Sequence, residues 1–256
     1  MNQPSGLSQT IKQAALAIKK AGGKTVVFTG AGVSVESGIP PFRGADGIWT
    51  KYDSSLFDIN RYKREPEVCW PGIQELFYSS MNKSQPNQAH MIISKWEKEN
   101  LISFVITQNI DGLHQKAGTR NIAEYHGNVR DMVCLECGFR DKVGEKYFSQ
   151  KIPKCPECGG LMKSDFIFFG EGIPVKAAED SLRYTFLSKV FIIAGSSGEV
   201  YPAASIPFAA KEQGKTIIEI NPGISAFTKE IVDFYIPLGA VDGFSALDEA
   251  LKSTGE

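Results

Sequence analysis

The chain has 256 residues, 42% of them hydrophobic and 22% charged, with a formal net charge of −1 and a sequence pI of about 6.3. This composition is that of a soluble globular protein large enough for one core plus an inserted module. The balanced charge argues against direct nucleic-acid binding, and the longest apolar runs are far short of the ~18 residues that span a bilayer. The polar N-terminal residues predict a cytoplasmic, reducing compartment, where the five cysteines are better interpreted as thiols or metal ligands than as disulfides.

The first predicted elements are a helix, a buried strand and a glycine-rich turn. Apolar residues on one helical face between Leu7 and Ile18 predict an amphipathic helix, which ends at Gly22-Gly23. The apolar run 24–29 predicts the first strand, and Gly30 to Gly38 form a strand-to-helix turn. Glycines let a backbone approach a diphosphate closely, but the spacing is not the dinucleotide fingerprint, and many such turns are only tight connections.

A loop with two prolines follows this turn. Ile39 to Gly44 is irregular because Pro40 and Pro41 fix the backbone. Phe42 and Arg43 either belong to a plain rim loop or form a lid, in which Arg43 meets a phosphate and Phe42 shields a reactive carbon. The residues alone leave both interpretations open.

The next segments are predicted to be helical. Aromatic and irregularly amphipathic residues from Trp49 to about Met81 predict short helices of an inserted lobe. A further helix begins at Pro86-Asn87, and His90 within it is interpreted as structural. The inner face of that helix is predicted to carry Met91, Ile92, Ile93 and Trp96.

The apolar run 101–107 predicts a buried strand that leads into the most polar turn of the chain. Gln108, Asn109 and Asp111 follow it, and His114 comes soon after. Ligands of open α/β sheets collect beyond the carboxyl ends of such strands, so donors, acceptors and an imidazole are expected to gather there. The alternative is a plain turn, since Asn, Asp and Gly all favour turns.

A second imidazole follows a brief strand at 122–125. His126 lies at the end of that strand and is followed by Gly127. A histidine at such a position suits a general base, because its pKa lies near neutrality. A histidine satisfied by backbone groups is the structural alternative.

Four cysteines carry the strongest metal signal. Cys134, Cys137, Cys155 and Cys158 form a C-x2-C-x17-C-x2-C pattern, and a glycine follows each pair. Four thiolates at this spacing satisfy a tetrahedral structural zinc and leave no position for a substrate. A redox function would need a single pair beside a βαβ unit. We therefore predict a zinc ion that maintains the shape of the module and does no chemistry.

The remainder of the chain completes an alternating pattern of strands and helices. An apolar run from Phe166 ends in a loop at Gly170-Glu171, and a helix from Phe244 to Leu251 closes the chain. The predicted strands are 24–29, 101–107, 122–125, 190–194, 216–220 and 233–236. This pattern predicts an α/β fold with a doubly wound parallel sheet, and four of its strand ends carry small or polar clusters.

Taken together, these motifs resemble those of the sirtuins, the NAD-dependent protein deacylases, over nearly the whole chain. The matching segments are Gly30–Ser34, Gly38–Arg43, Thr107–Asp111, His126-Gly127, the four cysteines, Phe168–Glu171, Gly195–Ser197 and Asn221. Two departures are visible: Pro41 stands where threonine is commoner, and Gly198-Glu199 replaces a more apolar pair. The second departure affects the expected acyl-peptide preference.

The resemblance implies a Rossmann-like NAD-binding domain with a smaller inserted zinc-binding and helical domain. The larger domain would comprise residues 1–40, 84–128 and 170–256, and the smaller one residues 41–83 and 129–169. NAD would lie in the cleft between them. The acetyl-lysine oxygen would attack the ribose carbon that bears nicotinamide, giving nicotinamide, O-acetyl-ADP-ribose and deacetylated lysine.

Residue roles also follow from the resemblance. His126 would be the base that deprotonates a ribose hydroxyl, and Asn109 and Asp111 would share the catalytic role by orienting the ribose and the nicotinamide amide. The cofactor-binding residues would be Ala31, Gly32, Ser34, Phe42, Arg43, Gln108, Asn109, Ile110, Asp111, Gly195, Ser196, Ser197, Asn221 and Val241. The acetylated protein substrate would add as a strand between two segments. These segments are Phe169-Gly170-Glu171 and Val200-Tyr201.

Rival functions use the same features differently. ADP-ribosyl transfer or NAD hydrolysis would use the same cleft, whereas a zinc ribbon that binds nucleic acid or a partner would use the α/β domain as a scaffold. A hydride-transferring dehydrogenase is disfavoured because its fingerprint is missing. No Tyr-x-x-Arg pair, the feature that holds a succinyl carboxylate in this family, occurs between Trp70 and Met81. We therefore expect acetyl or other uncharged acyl groups to be preferred over succinyl.

Overall fold

The computed structural model describes residues 5–41, 47–78 and 83–253. The strands in these residues are β1 (Thr25–Thr29), β2 (Phe104–Thr107), β3 (Ile122–Glu124), β4 (Gly127–Cys134), β5 (Arg140–Lys142), β6 (Met162–Phe166), β7 (Val190–Ala194), β8 (Thr216–Ile220) and β9 (Phe234–Ile236). The α-helices are α1 (Ser5–Ala21), α2 (Ile59–Arg64), α3 (Pro66–Ile73), α4 (Gln88–Lys98), α5 (Leu113–Ala117), α6 (Glu145–Phe148), α7 (Val175–Leu187), α8 (Ser205–Glu212) and α9 (Ala240–Ser253). No helix in these ranges is both long enough and apolar enough to cross a bilayer.

The main sheet has six parallel strands in the order β3-β2-β1-β7-β8-β9. The chain moves outward from β1 to β3 on one side and from β7 to β9 on the other. The strand order therefore reverses between β1 and β7, and the crevice outside such a switch point is where open α/β sheets bind ligands. The predicted doubly wound parallel sheet is confirmed.

Helices cover both faces of this sheet, which explains why its central strands are apolar throughout. On one face α1, α4 and α9 pack together, and the rings of Trp96 and Phe244 lie 5.6 Å apart. On the other face α7 and α8 cover a second core around Phe28, Phe191 and Phe227. Each strand of the sheet centre is fully buried.

A second, antiparallel sheet has the order β5-β4-β6 and packs against the helices of the predicted lobe. Tyr62 in α2 donates to the Met162 carbonyl at 2.7 Å, and the hydroxyls of Tyr78 and Ser164 lie 2.7 Å apart. These bonds join the helical lobe to β6 around one aromatic core. The domain limits stay a prediction.

Several element boundaries differ from the prediction. β2 begins at Phe104, not at residue 101, because the amides of Leu101 and Ile102 still bond the Trp96 carbonyl at the end of α4. Met91 is 48% exposed, so its placement on the inner face of α4 was wrong. The buried stripe of that helix instead runs through Ala89, Ile92, Ile93 and Trp96.

Three helices also differ from the prediction. The glycine-rich turn leads into a 3-10 helix over Ala31–Ser37. The closing helix begins at Ala240, because the Gly243 amide already bonds the Gly239 carbonyl. The third helix, α7, was not predicted, and its buried residues are Ser181 and Thr185.

Candidate functional site

Two glycine loops meet at the switch point, backbone against backbone. The Gly32 amide donates to the Gly195 carbonyl at 2.9 Å, and the Gly30 amide donates to the Ala194 carbonyl at 3.0 Å. A Cβ atom added to Gly32 would lie 2.6 Å from the Gly195 Cα atom, a distance that real Cβ atoms do not reach. Because neither loop has a side chain at this contact, the two backbones pack directly against each other.

Three predicted polar residues converge beside these loops. The Ser34 hydroxyl donates to the Asp111 carboxylate at 2.7 Å, and the Asn109 side-chain amide donates to the Ser34 oxygen at 3.1 Å. The Asp111 carboxylate also accepts the Leu113 amide at 2.8 Å, which fixes the turn into α5. Ile110 is buried, and its carbonyl accepts the Val129 amide at 3.1 Å. The structure therefore brings residues from the ends of β1 and β2 into one cluster.

A second set of predicted residues joins the ends of β2, β7 and β8. The Gln108 side chain donates to the Ser196 hydroxyl at 3.0 Å, and the Asn221 side chain donates to the Ser196 carbonyl at 3.1 Å. Ser197 is exposed beside them, and its carbonyl accepts the Ala226 amide. The polar strand ends thus form one continuous edge.

Other predicted cofactor residues lie near this edge or outside the described part. Ala31 begins the 3-10 helix. The Val241 amide, at the start of α9, donates to the carboxylate of Glu36, a residue of the 3-10 helix, at 3.3 Å. Phe42 and Arg43 lie outside the described residues. The Ile48 amide donates to the Pro41 carbonyl at 2.8 Å.

His126 is half-buried and held through its backbone and its ring. Its Nδ1 lies 3.1 Å from the Gln108 carbonyl, which accepts a hydrogen bond from Nδ1–H, so the acceptor lone pair of the neutral imidazole is on Nε2. Burial lowers the pKa of His126 from 6.5, and the bond to Gln108 opposes this effect. Gly127 has φ of 71°, and a Cβ atom there would lie 2.1 Å from the Asp165 carbonyl oxygen. The position after the imidazole therefore requires glycine.

His114 packs behind this cluster. Its Nε2 lies 3.0 Å from the Thr29 hydroxyl, and its ring centroid lies 4.8 Å from that of His90. Burial lowers the pKa of both histidines, to about 4 for His90. His90 also closes a capping box with Asn87, in line with its predicted structural role. The two rings are thus neutral interior groups.

The four predicted metal ligands form one compact cluster, with all Sγ atoms within 4.8 Å of one another. The Sγ atoms of Cys134 and Cys158 lie 3.5 Å apart, and those of Cys137 and Cys155 lie 3.7 Å apart. Zinc–sulfur bonds of about 2.3 Å in a tetrahedron place sulfur atoms ~3.8 Å apart. The cysteines are therefore arranged to bind a metal ion and fit a structural zinc site.

The two predicted substrate segments lie at the surface. The Phe169 amide donates to the Phe57 carbonyl at 2.8 Å, and its carbonyl accepts the Ile59 amide at 3.0 Å. Gly170 is exposed, and the Glu171 carboxylate accepts the Phe168 amide at 2.8 Å. In the second segment Val200 accepts the Ala204 amide at 2.9 Å. The side chains of Phe169 and Tyr201 are 52% and 68% exposed.

Two buried charged residues, Glu219 and Lys163, were not predicted. Glu219 is fully buried, and its carboxylate accepts the hydroxyls of Ser225 at 2.5 Å and Thr228 at 2.7 Å, with the Asn221 amide at 3.5 Å. A charged residue within the apolar strand β8 was the available signal. Lys163 in β6 is 3% exposed, and its sequence context gives no such signal.

Comparisons with known proteins agree with this geometry. A sequence profile of the Sir2 family matches residues 30–202. An NAD-dependent protein deacylase of Pyrococcus furiosus is 40% identical over 221 residues, which cover 82% of this chain and 86% of that protein.

Two solved Sir2 structures are similar in shape. A variant with a deacetylated p53 peptide and 3′-O-acetyl ADP ribose has a TM-score of 0.87 and 33% identity, with 93% of this chain and 97% of that chain covered. A Sir2 structure with a p53 peptide and NAD+ has a TM-score of 0.80 and 34% identity, with 90% and 93% covered.

Proposed function

The chain belongs to the Sir2 family, and from this premise we propose that it is an NAD-dependent protein lysine deacetylase. The observation that carries this proposal is the convergence of Ser34, Asn109 and Asp111 at the switch point, with His126 held on the Gln108 carbonyl. The reaction would transfer the acetyl group of an acetylated lysine to ADP-ribose and release nicotinamide. Bound NAD would supply the electrophilic ribose carbon and the leaving group.

The glycine loops and the polar strand ends would bind the dinucleotide. The diphosphate would lie over the two glycine loops, which meet at Gly32 and Gly195. The adenosine would lie at the far end of the same edge, where Asn221 is linked to Ser196. The predicted contacts of Phe42, Arg43 and Val241 with this ligand are part of the proposal. This edge provides positioning, which can account for several kcal/mol of a reaction barrier.

The catalytic cluster would orient the reacting groups and remove a proton. Asp111 is fixed by Ser34 and by the Leu113 amide, and the Asn109 amide is held by the same Ser34 oxygen, so these groups would orient the ligand from fixed positions. The Nδ1–H of His126 bonds Gln108, and Nε2 would accept a ribose hydroxyl proton. Because burial lowers its pKa, His126 is neutral and competent as a base at pH 7.

The acetylated protein would bind between the two surface segments. The exposed rings of Phe169 and Tyr201 would flank the acyl-lysine, and the peptide backbone would pair with the Phe169-Gly170-Glu171 segment. The metal site would support the small sheet and take no part in the chemistry. We also propose a cytoplasmic location, because a site of four thiolates requires cysteines that are kept reduced.

The test is to mix an acetylated peptide with NAD and analyse the products by mass spectrometry. Free nicotinamide, O-acetyl-ADP-ribose and deacetylated peptide in equal amounts are expected. Nicotinamide released without a change in the peptide would instead indicate NAD hydrolysis, and a peptide that gains ADP-ribose would indicate ADP-ribosyl transfer. A parallel assay with a succinylated peptide should give a lower kcat/KM, and a higher value would contradict the expected acyl preference.

A further inference from the structure

Lys163 places a charged group inside the small sheet, directly beneath one of the proposed substrate segments. Its side chain is 4% exposed, although lysine is almost never fully buried unless it is paired. An ammonium that is removed from water needs all of its donors satisfied. The partners of Lys163 therefore indicate what it holds in place.

All three N–H donors of the Lys163 ammonium have acceptors. Nζ lies 2.9 Å from the Ser164 carbonyl, 2.7 Å from the Phe166 carbonyl and 3.0 Å from the Glu171 carboxylate. The ring centroid of Phe168 lies 4.6 Å away, which adds a cation–π contact. The ammonium thus connects the end of β6 to a residue that comes after the next turn.

Glu171 transmits this connection to the turn itself. The carboxylate oxygen that meets Lys163 also accepts the Phe168 amide at 2.8 Å, and the Glu171 amide donates to the Phe168 carbonyl at 3.0 Å. Gly170 within the turn has φ of 90°, a conformation that glycine adopts readily. The Lys163–Glu171 ion pair therefore acts together with these backbone bonds to fix the shape of the Phe168–Glu171 turn.

The same turn is connected to two other parts of the site. The Ile167 amide donates to the His126 carbonyl at 2.9 Å, and the Phe169 amide donates to the Phe57 carbonyl in the helical lobe. A change in the turn would therefore move the backbone that faces the peptide relative to the base.

We propose that Lys163 is a positioning residue for the acylated peptide, acting through Glu171 on the Phe168–Glu171 turn. Its ammonium touches neither the dinucleotide nor the acyl-lysine, because all of its donors are used inside the protein. Lys163 gives the turn the backbone shape on which the peptide strand pairs. This inference rests on the proposed function.

The main test replaces Lys163 by methionine, which keeps an apolar stem and removes the charge. Peptide affinity is measured by fluorescence anisotropy of a labelled acetylated peptide, and dinucleotide affinity by calorimetry with NAD. We expect the peptide Kd to rise about 10- to 100-fold, the range that follows from losing a hydrogen bond to a charged group. The Kd for NAD should stay unchanged.

Two companion variants separate positioning from general stability. Lys163→Arg keeps the positive charge, and we expect it to restore part of the peptide affinity. Lys142→Met is the matched control, because Lys142 belongs to the same small sheet but its side chain is 80% exposed, and its partner is Asp131. We expect wild-type values for both ligands in Lys142→Met.

Two results would overturn the inference: an unchanged peptide Kd in a folded Lys163→Met variant, or an equal rise in both dissociation constants. If Lys163→Met does not fold, Glu171→Gln removes the same ion pair from its more exposed side and must raise the peptide Kd selectively. A wild-type protein that binds the acetylated peptide but does not deacetylate it would contradict the proposed function and leave this binding result standing.

Discussion

Arg130 and Glu124, which flank His126 in the sequence, form a bidentate ion pair. Arg130 Nη1 lies 2.7 Å from Glu124 Oε1, and Nη2 lies 2.6 Å from Oε2. Glu124 ends β3 of the main sheet and Arg130 belongs to β4 of the small sheet. A Cβ atom on Gly112 would lie 2.6 Å from Arg130 Nη1, so the guanidinium also packs over the turn after Asp111. The pair therefore fixes the segment that presents the imidazole.

We expect Arg130→Met to lower kcat/KM about tenfold by loosening His126 and the Asp111 turn together. The free energy of unfolding should fall by about 1–2 kcal/mol, because the pair is partly buried. Steady-state kinetics and urea unfolding provide the two measurements. Arg140→Met, at an ion pair whose arginine is 64% exposed, is the matched control and should change neither. Wild-type kcat/KM in Arg130→Met would refute this role.

His126→Ala should reduce deacetylation by roughly 10²–10⁴-fold, the usual contribution of a general base. The fold and the metal content should be retained, because in the described residues the ring makes one hydrogen bond, from Nδ1 to the Gln108 carbonyl. Product formation, circular dichroism and zinc analysis measure these three properties. Retention of more than a tenth of the activity would show that another group takes the proton.

The pH profile should reflect the lowered pKa of His126. Burial disfavours the charged imidazolium, so the ring stays neutral as the pH falls below the ordinary value of 6.5 and protonates only at more acidic pH. The acid limb of kcat/KM should therefore have its midpoint below pH 6.5. A midpoint at or above 6.5 for the wild-type enzyme would contradict the buried environment of the base.

Gly32→Ala should weaken dinucleotide binding. The new Cβ atom would lie 2.6 Å from the Gly195 Cα atom, so one of the two loops must move. Overpacking of this kind costs about 1–3 kcal/mol in stability, and we expect the Kd for NAD to rise at least tenfold. Calorimetry measures the affinity. Gly144→Ala is a control for glycine replacement in general, since no atom lies within 4 Å of its added Cβ and its backbone is extended, with φ of 175°.

Asp248 should stabilise the packing of α9 on α4 in a pH-dependent way. Burial opposes its ionisation, yet hydrogen bonds from Lys252, Lys95 and Trp96 lower its pKa to about 2 from 3.8. Asp248→Asn should reduce the free energy of unfolding at pH 7 by about 1–3 kcal/mol. A lowered folded-state pKa stabilises the protein above the unfolded value, and this contribution is lost as the pH falls through about 2. The difference between wild type and variant should therefore shrink below pH 4, and a constant difference would contradict the assignment.

The main sheet and most of its polar edge could be predicted because both follow from local patterns. Apolar runs mark the parallel strands, and the residues just after them meet at one edge whatever the length of the connections. The sequence spacing of the cysteines likewise predicts their cluster. These features need no knowledge of distant contacts.

The features that sequence analysis missed depend on distant contacts or contradict the expected pattern. Helix α7 buries Ser181 and Thr185 and packs Ala177 and Tyr184 on the core, but it leaves Leu182 and Phe186 exposed. Periodicity assigns the inner face of such a helix wrongly. The partner of Lys163 lies beyond a turn, and His114 was expected in the cleft although Thr29 and His90 hold it in the interior. Only the folded backbone reveals these pairs.

The contact between Gly32 and Gly195 also limits how this sequence can diversify. Each position tolerates no side chain because the other loop occupies the space, so a substitution in one loop demands a compensating displacement in the other. A mutational library aimed at new acyl specificities should leave both codons untouched. The varied codons should instead be those of exposed residues such as Tyr201 and Ile224, whose backbone is not part of that contact.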